Sequence, residues 1–190
     1  SAVAGLIELA RLMKSDDSRY DIHFVAFANE ESPCFGSDYM GSMRYARFLK
    51  LSGQKVAFMV CLEMIGFFDK HRRQRYPISF MRHFFPRKAD FIGIVSDMKS
   101  GRIAFSLAAR MRARADIPVA CLVAPLAIGG IDRSDHSAFW HHGFKAVMIT
   151  DTAQYRNDHY HKETDTVDTL DFDAMSKVVA ALHAAIVLYP

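Results

Sequence analysis

Five short, almost unbroken apolar runs punctuate this chain, and all but the second are followed by a stretch with helical periodicity. The runs fall at residues 22–28, 56–62, 91–95, 118–123 and 146–150. Continuous apolar runs of this length suit strands covered on both faces rather than half-exposed ones. Between and around them lie amphipathic stretches. Residues 3–13 place Leu6, Ile7, Ala10, Leu12 and Met13 near helical spacing. Residues 36–50 offer Tyr39, Met40, Met43, Ala46 and Phe48 to a core. Residues 101–114, a short piece at 137–142, and 171–189 with Leu170 as a staple complete the helices. Strands alternating with helices predict an α/β fold, a three-layer α/β/α sandwich with a mostly parallel mixed sheet. Ligands in such folds gather at the carboxyl ends of the strands.

Length and composition bound the reading. The chain has 190 residues, enough for one domain, and 51% of them are hydrophobic, which excludes a disordered chain. The formal charge is +3, so composition makes no case for nucleic acid as a partner. Basic residues do cluster at residues 71–75 and around Arg82, His83, Arg87 and Lys88. The plain reading is a solvated loop; the other is a surface that attracts acidic ligands. Cys34, Cys61 and Cys121 are odd in number and widely spaced, which argues against a disulfide framework, and Cys61 and Cys121 read as buried thiols. No run approaches the roughly 18 apolar residues of a membrane span. A soluble protein is expected, with the compartment left open between secreted, periplasmic and cytoplasmic. Ser1 has no Met before it, and the first residues already read as a helix under way.

Chemistry concentrates at the strand ends. Glu30 and Glu31 follow the first run directly, and Glu63 follows the second. Neighbouring side chains point different ways, so one of the adjacent acids can bind a metal while the other faces a substrate water. The third cluster, residues 156–166, contains His159 and His161 at i, i+2. Carboxylates and an imidazole converging at one sheet edge suit zinc, which accepts oxygen and nitrogen donors. Ser134-Asp135-His136-Ser137 holds the residue types of a serine hydrolase. Adjacent side chains diverge too much to form a triad, and no GxSxG elbow is present. An acid there can instead orient a ligand or base from behind. Residues 67–86 form a long aromatic and basic excursion, of the kind that often carries function.

Four motifs in order, Asn29-Glu30-Glu31, Leu62-Glu63-Met64-Ile65-Gly66, Ser134-Asp135-His136-Ser137 with Phe139-Trp140, and Ile149-Thr150-Asp151-Thr152 through Tyr160-His161 and Asp165-Thr166, resemble the M28 (aminopeptidase Y-like) family of zinc peptidases over nearly the whole chain. The resemblance implies Glu30 as general base, Glu31 as a zinc ligand beside it, Glu63 as the carboxylate ligand of a second zinc, and His161 as the imidazole ligand of the Glu31 zinc. It implies a substrate-facing Tyr160 and an Asp135 near the base. Family members also carry a His-x-Asp motif on an earlier strand and a bridging Asp just before the helix that matches residues 1–13. Neither ligand occurs in this chain, and His23 lies inside a run where it cannot replace them. Residues 1–190 are therefore expected to be a single, partial metallopeptidase domain lacking the first strands of its sheet, which leaves an exposed edge.

The resemblance implies a two-zinc exopeptidase, an aminopeptidase, acting on a peptide or aminoacyl substrate, with this chain inactive by itself where the upstream ligands are missing. Glu30 would move the proton, Tyr160 would hydrogen-bond the oxyanion, and the free amine would lie near Glu63. Phe67, Phe68, Tyr76, Phe80, Phe84 and Phe85 would either line a pocket for an apolar side chain or pack as a surface loop. Two other classes stay open: a glutaminyl cyclase, which shares the fold and a similar ligand set on one zinc, and a non-catalytic binding domain.

Overall fold

A computed structural model describes residues 1–14, 16 and 18–189. Helix α1 spans Ala2–Met13 and α2 spans Gly41–Leu51. Strand β1 is Met59–Glu63, and an antiparallel pair follows, β2 (Asp69–Arg73) with β3 (Lys88–Ala89). Then come β4 (Ile92–Ser96), α3 (Gly101–Arg112), β5 (Val119–Val123), α4 (His136–His141), β6 (Ala146–Thr150) and α5 (Phe172–Val187). The main sheet has the order β1-β6-β4-β5. Its β1–β6 and β4–β5 pairs are parallel and its β4–β6 pair is antiparallel. The expected mostly parallel mixed sheet is thus present.

Helices cover both faces of this sheet. On one side α1, α3 and α5 pack together, and Leu9, Ile65, Ile94, Leu107, Val147, Val178 and Leu182 form one buried core. On the other side α2 and α4 enclose Ala46, Leu49, Phe139 and Ala146. Fully burying a Leu, Ile or Val side chain contributes about 1.5–3 kcal/mol, so these two layers dominate the stability of the fold. Helix α5 starts at Asp171, whose Oδ1 accepts the Ala174 amide at 2.9 Å. That bond satisfies one of the amides a helix start leaves unpaired.

The structure corrects several sequence expectations. Residues 22–28, read as the first strand, lie outside the sheet: among the described residues, the segment forms no backbone ladder with β1. Apolar sequence supplies faces for packing, but a strand exists only when a neighbour's amides and carbonyls meet its own. A groove of about 590 Å³ separates this segment from the outer edge of β1, lined by Ile22, Phe24, Val25, Phe58, Val60 and Leu62. The segment is anchored at its far end, where the Phe27 ring meets Tyr45 at 5.6 Å and Phe139 at 6.2 Å.

Helix α2 begins at Gly41 rather than residue 36, because residues 31–40 are taken up by consecutive turns such as Ser37 N to Cys34 O. Met40 and Ala46 are buried as expected, whereas Tyr39 and Phe48 are 69% and 60% exposed. The supposedly irregular excursion is a hairpin built on β2 and β3, with a single 3₁₀ turn, Ser79–His83, between them. Gln74 N donates to Arg87 O at 2.9 Å, and Tyr76 Oη donates to Pro86 O at 2.6 Å, which closes the loop. All three cysteines are free; Cys61 is buried and Cys121 only partly so.

Candidate metal and catalytic site

The parallel β1–β6 pairing brings two carboxylates to one sheet edge. Glu63 pairs with Thr150 at the carboxyl ends of the two strands, and Asp151 follows at once. Each then does a different job. Asp151 turns inward, where Oδ2 accepts the amides of Gly66 (3.1 Å) and Phe67 (2.8 Å) and Oδ1 accepts that of Ala153 (3.0 Å). It clamps the two chain segments leaving the sheet. Burial pushes its carboxyl up to about 6, against those amides and the nearby Arg156 charge. Glu63 stays at the surface of the site, half-buried and held by Ser134, whose Oγ donates to Oε2 at 2.7 Å. Ser134 is itself buried and also touches Cys61 Sγ at 3.4 Å.

Glu30 arrives from the other side. A close approach between Ala28 and Gly41 fixes its segment: Gly41 N donates to Ala28 O at 2.9 Å. A Cβ at Gly41 would stand 2.8 Å from that oxygen, so only glycine permits the contact. The following Asn29 has φ 59°, which aims the next two acids. Met64, Thr152, Ala153 and His161 share this left-handed conformation. All the positive-φ non-glycine residues among the described ones thus flank or belong to one site. Strained backbone of this kind costs of order 1–3 kcal/mol per residue and clusters where function requires it.

The acids feel one another. Burial, reinforced by the charges of Glu63, Asp135 and Glu31, pushes Glu30 up to about 7, with the Ser134 hydroxyl opposing. Burial likewise raises Glu63 and Asp135. Asp135 precedes α4, and its Oδ1 is buried without a hydrogen-bond partner among the described residues. Burial and then the charges of Glu63, Glu31 and Glu30 raise the Tyr160 phenol, which places it in the same cluster. His161 Nε2 lies 3.5 Å from Glu31 Oε1, and its ring stacks on Tyr160 at 4.0 Å. The six residues singled out in sequence, Glu30, Glu31, Glu63, Asp135, Tyr160 and His161, therefore converge.

The donor types suit zinc: the Glu31 carboxylate meets the His161 imidazole, and Glu63 lies near enough to feel the charges of both. Among the described residues, however, no three His, Cys, Asp or Glu side chains stand close enough together to enclose an ion. Beside the cluster opens a cavity of about 380 Å³ with Glu63, Tyr160 and His161 on its rim. Tyr76, Met81, Phe85, Phe91, Ile131 and Met148 line it. Of the six aromatic residues of the excursion, Tyr76 and Phe85 line the cavity, Phe67 is buried elsewhere, Phe68 packs against the main core, and Phe80 and Phe84 are exposed.

No serine triad forms. His136 is fully buried, bonds Ile131 O through Nε2 at 2.7 Å, and meets Trp140 edge-on at 4.5 Å, while Ser134 faces Glu63. His23 is also remote from any ligand role, since its Nδ1 bonds Tyr45 Oη at 2.7 Å. Two contributors escaped sequence reasoning. Ser134 was weighed only as a nucleophile, and Arg156 only as part of a polar stretch. The Arg156 side chain is fully buried. Its Nη1 donates to Phe91 O (2.8 Å) and Phe67 O (3.3 Å), its Nε donates to Gln74 Oε1 (3.0 Å), and its guanidinium lies 4.4 Å from the Phe91 ring centroid. It ties the hairpin to the sheet and so holds the cavity wall. No periodicity marks such a residue.

A mixed α/β sheet with acids and an imidazole at its carboxyl edge defines the fold class of the zinc exopeptidases. The chain matches the profile of Peptidase family M28 over residues 1–186 and belongs to that family. It is 41% identical over 180 residues to the uncharacterized protein YfbL of Escherichia coli strain K12, a match that covers 94% of this chain and 55% of YfbL. The chain thus spans about half the length of the curated relative it matches. Solved structures share its fold at low identity. Legionella pneumophila LapA superposes with a TM-score of 0.71 at 19% identity, covering 98% of this chain and 46% of LapA. BSAP, a zinc aminopeptidase from Bacillus subtilis, gives 0.63 at 17% identity, covering 96% and 39%. A glutaminyl cyclase from Fimbriiglobus ruber gives 0.57 at 20% identity, covering 98% and 59%.

Proposed function

We propose that this chain is part of the catalytic domain of a zinc-dependent aminopeptidase that hydrolyses N-terminal peptide bonds, the part that carries Glu30, Glu31, Glu63 and His161. The observation that carries the reading is the convergence of Glu30, Glu31, Glu63 and His161 beside an apolar cavity. Glu31 and His161 would hold one zinc, and Glu63 a second. Zinc, when bound, supplies Lewis acidity towards water and the scissile carbonyl. Glu30 takes the proton of the attacking water and returns it to the leaving amine. Without metal, burial and the neighbouring acids push the Glu30 carboxyl up to about 7; bound cations would lower it and favour the carboxylate that accepts the proton. Tyr160 donates its phenol hydrogen to the developing oxyanion. Glu63 lies where the substrate's free amine would enter, and Asp135 sits close to the base. The cavity takes the N-terminal side chain, and its lining selects an apolar one.

The test measures bound zinc and products together. The protein, loaded with zinc and freed of excess, is given an N-terminal leucine peptide and an N-terminal glutamine peptide. Release of free amino acid from both supports the aminopeptidase. Ammonia release from the glutamine peptide assigns a cyclase instead. Zinc binding without either product, in this chain and in the longer protein that supplies the upstream ligands, assigns a binding domain.

A further inference from the structure

Residues 70–88 hold seven of the chain's 24 Lys and Arg residues and none of its 21 Asp and Glu residues. The remainder of the chain is therefore net acidic, and the basic character is concentrated in the β2–β3 hairpin. Among the described residues only Arg72 and Arg75 of this segment find a carboxylate, in Asp69 and Asp158. Lys70, Arg73, Arg82, Arg87 and Lys88 are exposed and have none. The ladder itself sets Arg73 directly opposite Lys88, with Arg87 beside them through the Gln74 amide bond. Like charges directly opposite in a ladder are unfavourable. The hairpin thus maintains a repulsion that a bound anion would relieve.

The tip of the same hairpin presents apolar surface to solvent. Ile78 is 45% exposed, Phe80 65% and Phe84 71%. The turn Ser79–His83 divides its side chains: Met81 and Phe85 line the cavity, while Phe80 and Phe84 project outward with ring centroids 5.0 Å apart. Exposed aromatic rings on a hairpin that also carries unpaired cations are the composition of a surface that enters a lipid headgroup layer. A single-stranded nucleic acid would use separated rings as stacking platforms. Here the two phenyl rings pack on each other, and the aliphatic Ile78 would be left with no role.

We propose that the hairpin of residues 69–89 docks on an anionic phospholipid surface, with Ile78, Phe80 and Phe84 entering the headgroup layer and Lys70, Arg73, Arg82, Arg87 and Lys88 facing lipid phosphates. Docking sets the mouth of the cavity beside the bilayer, because Met81 and Phe85, which line it, alternate with Phe80 and Phe84 along the hairpin tip. The site is separate from the metal and base residues, so the proposal stands independently of the peptidase reading.

The experiment is vesicle co-sedimentation of the purified chain. One set of vesicles is phosphatidylcholine alone and the other contains phosphatidylglycerol as well. Binding is expected only to the anionic vesicles, and it should weaken steeply as salt rises through 0.1 M, where the screening length is about 10 Å. Arg82→Ser with Arg87→Ser should lower affinity about fivefold per cation removed, the effect typical of one basic residue at an anionic membrane. Phe80→Ser with Phe84→Ser should lower it comparably at unchanged charge. All four positions are exposed, and far-UV circular dichroism checks that each variant is folded. Equal binding to neutral vesicles, absence of binding, or insensitivity to either double variant overturns the proposal. Tighter binding to oligothymidylate than to anionic vesicles overturns it in favour of a nucleic-acid surface.

Discussion

The Ser134 hydroxyl donates a 2.7 Å hydrogen bond to Glu63 Oε2, joining residues 71 positions apart in sequence. A loop ahead of α4 thereby orients the carboxylate at the end of β1. Ser134→Ala leaves the side chain of a proposed metal ligand free to turn. Zinc affinity should fall by about 10–100-fold, the usual effect of removing a partner that orients a ligand. Titration against a competing chelator reads this directly. An unchanged affinity would mean that Glu63 does not hold zinc through that orientation.

Glu30→Gln tests the base. The amide keeps the shape of the side chain but takes no proton. Turnover should fall by about 10²–10⁴, the contribution typical of general acid–base catalysis. Zinc content should stay as in the unmodified protein, since the proposed ligands are Glu31, Glu63 and His161. A loss within tenfold would remove Glu30 from the role.

Arg156→Met probes the clamp between hairpin and sheet. The substitution fills much of the same space but leaves the carbonyls of Phe67 and Phe91 and the Gln74 side chain without their donor. Stranding buried acceptors costs about 1–3 kcal/mol each, so a loss of about 3 kcal/mol is expected in urea unfolding. A variant of unchanged stability would show that the hairpin is held by its apolar contacts alone.

His136 makes stability depend on pH. Burial lowers its pKa to about 4, so the folded protein keeps the ring neutral between about 4 and the ordinary value of 6.5. The unfolded chain takes up a proton across that window, which favours unfolding as pH falls. The His136 contribution to stability should therefore decline from pH 6.5 towards 4, by at most about 1.4 kcal/mol per pH unit. It acts against the opposite contributions of Glu30 and Asp151, whose raised carboxyls take up protons in the folded protein over the same range. His136→Phe should remove that contribution, so that acidification from pH 6.5 to 4 costs the variant less stability than it costs the unmodified protein. Denaturant midpoints at a series of pH values, compared between the two proteins, measure the difference; parallel profiles would exclude His136 as the cause.

Much of the site was readable because strand ends are readable. The apolar runs 56–62 and 146–150 set β1 and β6, and the polar residues after them fall at one edge once those strands pair in parallel. Glu63 followed from that logic, whereas Glu30, Glu31 and His161 were marked by their residue types and by the family resemblance. The first run misled, because residues 22–28 have strand composition but no backbone partner in this fold. The hairpin was read as irregular, because β2 is made of charged residues with no alternation and β3 is two residues long.

The sequence by itself determined the elements that depend on local pattern: the amphipathic helices, the buried strands, and the acids and imidazole that follow them. Periodicity and residue chemistry act over a few neighbours, so they can be seen one segment at a time. Tertiary structure alone decided which polar residue does which job. Ser134 reaches Glu63, Asp151 turns inward to collect three amides, Arg156 is buried beneath the hairpin, and His136 is sealed in the core against Trp140. Each of these roles comes from a hydrogen bond or a loss of solvent between residues far apart in the chain, and such contacts exist only after the layers have packed.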